Sequence, residues 1–183
     1  RLSRGGSSGG YKRIMSVHAC AFAGFSNLQT LELYDNQFKT LPVGIFNGLS
    51  SLTTLNLYDN QLETLPAGIF DGLVGLQTLN LDNNQLKTLP SGIFTGLSNL
   101  QKLGLDRNRL TTLPVRIFNG LSRLWVLRLY RNHLTTLPAG IFDGLSSLQT
   151  LDLGYNQLTL PTGIFDGLPS LQTLTLYNNQ LTT

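Results

Sequence analysis

The sequence predicts a solenoid of stacked copies whose short strands pair in parallel, and three observations support this. Leucines at positions 28, 52, 76, 100, 124 and 148 recur every 24 residues, and Leu171 follows after 23. Within each copy a stretch such as "TLELY" alternates apolar and polar residues, the pattern of a strand with one buried face. An asparagine closes each stretch, at positions 36, 60, 84, 108, 132, 156 and 179. A period of this length marks a unit that cannot bury its apolar face alone and does so against its neighbours. No hairpin or helical signal follows the strand within a copy, so successive strands run parallel.

The elements follow in chain order. Residues 1–13, "RLSRGGSSGGYKR", are rich in Gly and Ser and read as a flexible leader or a remnant of cloning. Residues 14–183 form a single domain that opens with a degenerate half-copy, 14–27, in which "IMSVHACAFAGFSN" aligns with "LETLPAGIFDGLVG". That alignment puts Ile14, Val17, Ala21, Phe22 and Phe25 at core positions. Six full copies occupy 28–170 and a partial copy 171–183, each built on L-x-x-L-x-L-x-x-N-x-L-x-x-L-P-x-x-I-F-x-G-L. The asparagine amide carries both donors and acceptors, which suits it to satisfy buried backbone groups of its own and the next turn. Phe46, Phe70, Phe94, Phe118, Phe142 and Phe165 recur once per copy and are expected to stack as an aromatic spine. Pro42, Pro66 and their equivalents cannot donate to a ladder and end extended pairing.

Composition narrows the function classes. With 41% apolar and 13% charged residues, the chain suits a packed core. No apolar run approaches the roughly 18 residues of a membrane span. The formal charge is +3, but Arg1, Arg4, Lys12 and Arg13 lie in the leader, leaving 9 basic against 10 acidic residues beyond it. That near neutrality argues against a nucleic-acid partner. The lone Cys20 can form no internal disulfide, no zinc set is present, and Cys20 aligns with turn glycines, so a free, near-surface thiol is expected. His18 and His133 have no nucleophile and orienting acid at a recognisable spacing, and the "AGIFDG" glycines recur with the copy as turn residues. No cofactor or metal is expected, and the chain reads as a non-enzyme.

The repeating unit resembles the leucine-rich repeat, over about Ile14 to Thr183. With "LPAGIFDGLSSLQTLDL" it is similar to the extracellular 24-residue type and most closely to the modules of variable lymphocyte receptors, antigen receptors of jawless vertebrates. The resemblance implies a leucine-rich repeat solenoid. In it, a right-handed curved horseshoe carries the parallel sheet on its concave face and loops with short 3₁₀ turns on its convex face. It also implies an extracellular, secreted or cell-surface recognition module that binds a protein, glycan or bacterial-surface antigen, with no membrane insertion by this segment. The cysteine-rich caps of those families have no counterpart here. The expectation is therefore self-association through an uncapped end or further sequence beyond Thr183. The alternatives are a structural or adhesive matrix repeat protein and an engineered consensus-like scaffold.

Inward leucines leave the intervening residues on the concave face. One exposed column reads Glu32, Asn56, Asn80, Gly104, Arg128, Asp152, Thr175, and the next Tyr34, Tyr58, Asp82, Asp106, Tyr130, Gly154, Tyr177. An edge column follows with Asp35, Asp59, Asn83, Arg107, Arg131, Tyr155 and Asn178. Like charges meet at Asp35 and Asp59, Asp82 and Asp106, and Arg107 and Arg131, contacts that a surface shaped for stability alone would avoid. The predicted ligand-binding residues are Glu32, Tyr34, Asp35, Tyr58, Asp59, Asp82, Asp106, Arg128, Tyr130 and Asp152. The acidic, tyrosine-bearing end is favoured as the contact surface over the adjoining basic end at Lys102, Arg107, Arg128 and Arg131.

Overall fold

The computed structural model describes residues 13–181, so the leader reading for 1–12 lies outside the described residues. Seven strands of three residues each follow in order: β1 (Thr30–Glu32), β2 (Thr54–Asn56), β3 (Thr78–Asn80), β4 (Lys102–Gly104), β5 (Val126–Arg128), β6 (Thr150–Asp152) and β7 (Thr173–Thr175). They form one sheet in sequence order, every pair parallel. The register is one whole copy, Leu31 opposite Leu55 and Leu55 opposite Leu79, so each exposed column is continuous down the stack. Backbone pairing runs past the strands, as where the Leu33 amide donates to the Asn56 carbonyl at 2.8 Å.

Leucines from both ends of each copy and the Ile-Phe pair between them fill the interior, nearly all fully enclosed. The phenylalanines stack as expected, with ring centroids 6.2, 6.4, 6.3, 6.5 and 6.1 Å apart from Phe46 to Phe165. Equivalent atoms of successive copies therefore advance by more than 6 Å on this side, against about 4.8 Å between paired strands. The unequal advance bends the stack and places the sheet on its concave side.

Convex segments consist of successive i to i+3 turns. The Ile45 amide donates to the Pro42 carbonyl, the Asn47 amide to Gly44 and the Leu49 amide to Phe46. Proline thus both ends the extended segment and accepts the first bond of the turn. Gly44, Gly68, Gly92 and Gly140 hold φ between +66° and +77° within this turn. Arg116 occupies the same place at φ 58°, a conformation that costs a side-chain-bearing residue about 1–2 kcal/mol.

The asparagines from Asn36 to Asn156 are buried, and their amides bond their own turn, as expected, but reach back to the preceding turn rather than on to the next one. Asn108 Nδ2 donates to the carbonyls of Leu81 at 3.0 Å and Leu105 at 3.2 Å, and its Oδ1 accepts from the Leu86 amide at 3.1 Å. In each case the residue ahead of the asparagine has left-handed backbone, φ 52° to 55°, which ends the strand there. Asn36 ties the half-copy to the sheet in the same way by accepting from the Ile14 amide at 2.9 Å.

The ends depart from the expected burial. Phe22 is buried and Ile14 and Val17 pack partly against the core, but Ala21 is exposed and Phe25 is 55% exposed. No described turn precedes the half-copy, so alignment with core positions does not bury them. At the other end, Leu174 of β7 is 37% exposed where its equivalent Leu151 is wholly enclosed. Leu160 and Phe165, in the last full copy, are only half-buried.

Candidate functional site

Alternation along the strands sends Glu32, Tyr34, Tyr58, Asp82, Asp106, Arg128, Tyr130 and Asp152 to the concave face and a left-handed residue after the strand puts Asp35 and Asp59 at its edge, but the two halves of that face differ in what their side chains do. In the first half Tyr34 and Tyr58 stack at 4.6 Å with their planes 9° apart, a direct result of occupying one column in adjacent strands. Asp35 is paired with Arg13 at 2.6 Å, and Asp59 accepts a hydrogen bond from Asn83 Nδ2. Burial, with the Tyr34 hydroxyl and the Asp59, Glu32 and Asp35 carboxylates close by, pushes the Tyr58 hydroxyl above its usual range.

Asp82 and Asp106 point along the stack and act as backbone acceptors. The Asp106 amide donates to Asp82 Oδ1 at 2.8 Å and the Tyr130 amide donates to Asp106 Oδ1 at 2.8 Å. The like charge of Asp82 bears on Asp106. Burial, followed by the charge of Asp82, pushes Asp106 up to about 7, and burial likewise raises Asp82 against the opposing hydrogen bond from the Asp106 amide. A cationic ligand would thus meet carboxylates already engaged by the protein's own backbone. Asp152 is similarly occupied, its Oδ1 accepting from the Gly154 amide at 3.0 Å.

The second half carries a cluster that sequence columns alone did not single out. Tyr130 and Tyr177 lie two strands apart, yet their rings approach to 6.3 Å, because Gly154 between them has no side chain. Tyr155 meets both edge-on at 5.3 Å. The Arg131 guanidinium lies 4.9 Å from the Tyr155 ring centre and 5.3 Å from that of Tyr130. Tyr155 and Tyr177 are 41% and 53% exposed. Arg107, Arg131 and Tyr155 each hold the left-handed conformation at the edge position that Asp35, Asp59, Asn83 and Asn178 fill elsewhere. Asp and Asn adopt that conformation with least penalty, so arginine and tyrosine there cost stability.

Trp125 was not anticipated either. It stands in a column of Gln29, Thr53, Gln77, Gln101, Gln149 and Gln172, and the Lys102 ammonium sits 4.7 Å above its ring. The available signal was that the chain's only tryptophan replaces a glutamine on an outward position.

Nothing in the described region resembles a catalytic constellation. His18 Nδ1 accepts from the Cys20 backbone amide at 3.3 Å, so the ring engages the backbone of Cys20. Cys20 is free and exposed, in accord with its turn position. Among the described residues no three His, Cys, Asp or Glu side chains group to hold a metal, and no helix is long and apolar enough to cross a membrane.

Comparison with known proteins matches the repeat along the chain. The family described as Leucine rich repeat matches residues 11–62, 26–86, 50–110, 74–134 and 98–158, and Leucine Rich repeats (2 copies) matches 146–183. No curated protein sequence is significantly similar to the chain. Among solved structures, a leucine-rich repeat protein of Leptospira interrogans is 33% identical over 93% of this chain and 42% of its own, with a TM-score of 0.81. TLR13, in complex with the single-stranded RNA ssRNA13, is 31% identical over 93% of this chain and 24% of its own, with a TM-score of 0.85. Toll, in its complex with Spatzle from Drosophila, is 32% identical over 93% and 23%, with a TM-score of 0.84. The chain therefore spans less than half the length of each of these relatives.

Proposed function

The chain belongs to the leucine-rich repeat family, and from that premise we propose that it is a non-catalytic, extracellular recognition module that binds a protein, glycan or bacterial-surface antigen through its concave face. The observation that carries this reading is the cluster of Tyr130, Arg131, Tyr155 and Tyr177. Exposed tyrosine beside arginine is the composition of binding hot spots, and here two of the four residues are held in a backbone conformation that works against stability. Likeness to variable lymphocyte receptor modules supports an immune type of recognition, and the Toll and TLR13 complexes show related solenoids engaging macromolecules. The stacked Tyr34 and Tyr58, flanked by Glu32, Asp35 and Asp59, favour a second contact region at the acidic end for a cationic ligand.

The test is a panel of bacterial surfaces, glycans, proteins and single-stranded RNA presented to the purified chain, followed by variants against whatever binds. Arg131→Gln with Tyr155→Ala and Tyr177→Ala is expected to weaken binding by about a hundredfold or more. Asp35→Asn with Asp59→Asn should have the smaller effect, and the convex control Val43→Ser with Val115→Ser none. Binding lost in the convex variant but kept in both concave sets would overturn the assignment.

A further inference from the structure

A cavity of about 430 Å³ opens on the concave face between β3 and β6, lined chiefly by Asn80, Asp82, Lys102, Gly104, Trp125 and Arg128. Its floor is Gly104, the one position of its column without a side chain, flanked in register by Asn80 on one strand and Arg128 on the other. The gap is shaped on one side by Asp82, whose Oδ1 would lie 2.6 Å from a Cβ on Gly104. On another side, the half-buried Trp125 holds the Lys102 ammonium over its ring, which orients a flexible cation before any ligand arrives. Arg128 is exposed and its guanidinium makes no hydrogen bond or ion pair with another described residue, so its donors remain available.

We infer that this recess binds an acidic sugar residue, a hexuronate within a glycan, an assignment that rests on the concave-face reading above and specifies a ligand for it. Lys102 and Arg128 supply two cations for the carboxylate and offset the charge of Asp82, whose Oδ1 is held by the Asp106 amide. A sugar ring also presents hydroxyls that need donors and acceptors together, which Thr78, Asn80 and Asp82 supply along the same wall. Its C–H face needs an aromatic wall, and the Trp125 ring would supply it once the Lys102 ammonium turns from that ring to the carboxylate. An acidic peptide would use the two cations and leave the rest of the lining without a role. The volume falls in the range of small-ligand sites, about 300–1,000 Å³.

Trp125 is the only tryptophan of the chain, so its emission reports on this recess alone. Titration with an oligogalacturonate is expected to give a saturable fluorescence change that weakens with salt. Its methyl-esterified form, with the same rings and no charge, should bind about tenfold more weakly, as should oligogalacturonate to Arg128→Gln or Lys102→Gln. Val43→Ser, on the convex face, should leave the titration unchanged. Equal binding of the ester, equal binding of an oligoglutamate peptide, or no saturable change up to about 10 mM would overturn the assignment. If the titration fails while the panel still yields a ligand sensitive to Arg131 and Tyr155, only the sugar assignment falls. If both fail, so does the concave-face reading.

Discussion

Asp106 shows how a single residue can carry both a structural role and a penalty. Its carboxylate caps the Tyr130 amide from a partly enclosed position next to Asp82, and its folded pKa of about 7 lies well above the ordinary 3.8. Between those values the folded state holds a proton that the unfolded state has released. The stability from that proton is fully present below 3.8 and is lost as pH rises through 7. Thermal melting should therefore occur at a higher temperature at about pH 5 than at about pH 8. Asp106→Asn keeps the Oδ1 acceptor and removes the titration, so most of this pH dependence should disappear in that variant, with the melting temperature at the alkaline end raised. An unchanged pH profile in the variant would place the titration elsewhere.

Among the repeating elements, the phenylalanine spine ties each convex turn to the next. Phe118 is fully enclosed between Phe94 at 6.3 Å and Phe142 at 6.5 Å, so truncating it removes two ring contacts and leaves a cavity. Phe118→Ala is expected to lower the unfolding free energy by about 3–5 kcal/mol in urea denaturation. Phe165 has a ring neighbour on one side only, Phe142 at 6.1 Å, and is half-buried. Phe165→Ala should cost less than half as much, and equal losses would mean that stacking between copies contributes little.

The whole molecule is held by nearest neighbours, since each strand pairs only with those before and after it. Such a stack is weakest where a copy has one neighbour. The β7 edge carries Leu174 and, beyond it, Leu181 at 45% exposure. The 183-residue chain is therefore expected to self-associate through this edge as concentration rises, with Leu174→Asp and Leu181→Asp together suppressing the association in sedimentation velocity. Monomeric sedimentation of the unmodified chain at all concentrations would show that the edge is self-protecting. Backbone amides of β7 should also exchange with solvent faster than those of β4.

Strand positions, parallel pairing, the register of one copy and the aromatic spine were legible in the sequence, because a fixed period forces equivalent residues into equivalent places. The two outward columns that begin at Glu32 and Tyr34 were legible for the same reason, since alternation along a strand decides which residues face out. Interactions across copies were not. Sequence placed Asp82 and Asp106 side by side as bare charges, whereas the folded chain turns both carboxylates onto the backbone of the next strand. It likewise spaced Tyr130 and Tyr177 two strands apart, and only the packed face shows the rings meeting across Gly154. The direction of the asparagine clamp, the left-handed edge residues and the recess over Gly104 belong to the same class. Periodicity determines where a residue sits, but what its side chain reaches depends on rotamers, neighbouring volume and backbone angle, and these are decided only when the copies are stacked.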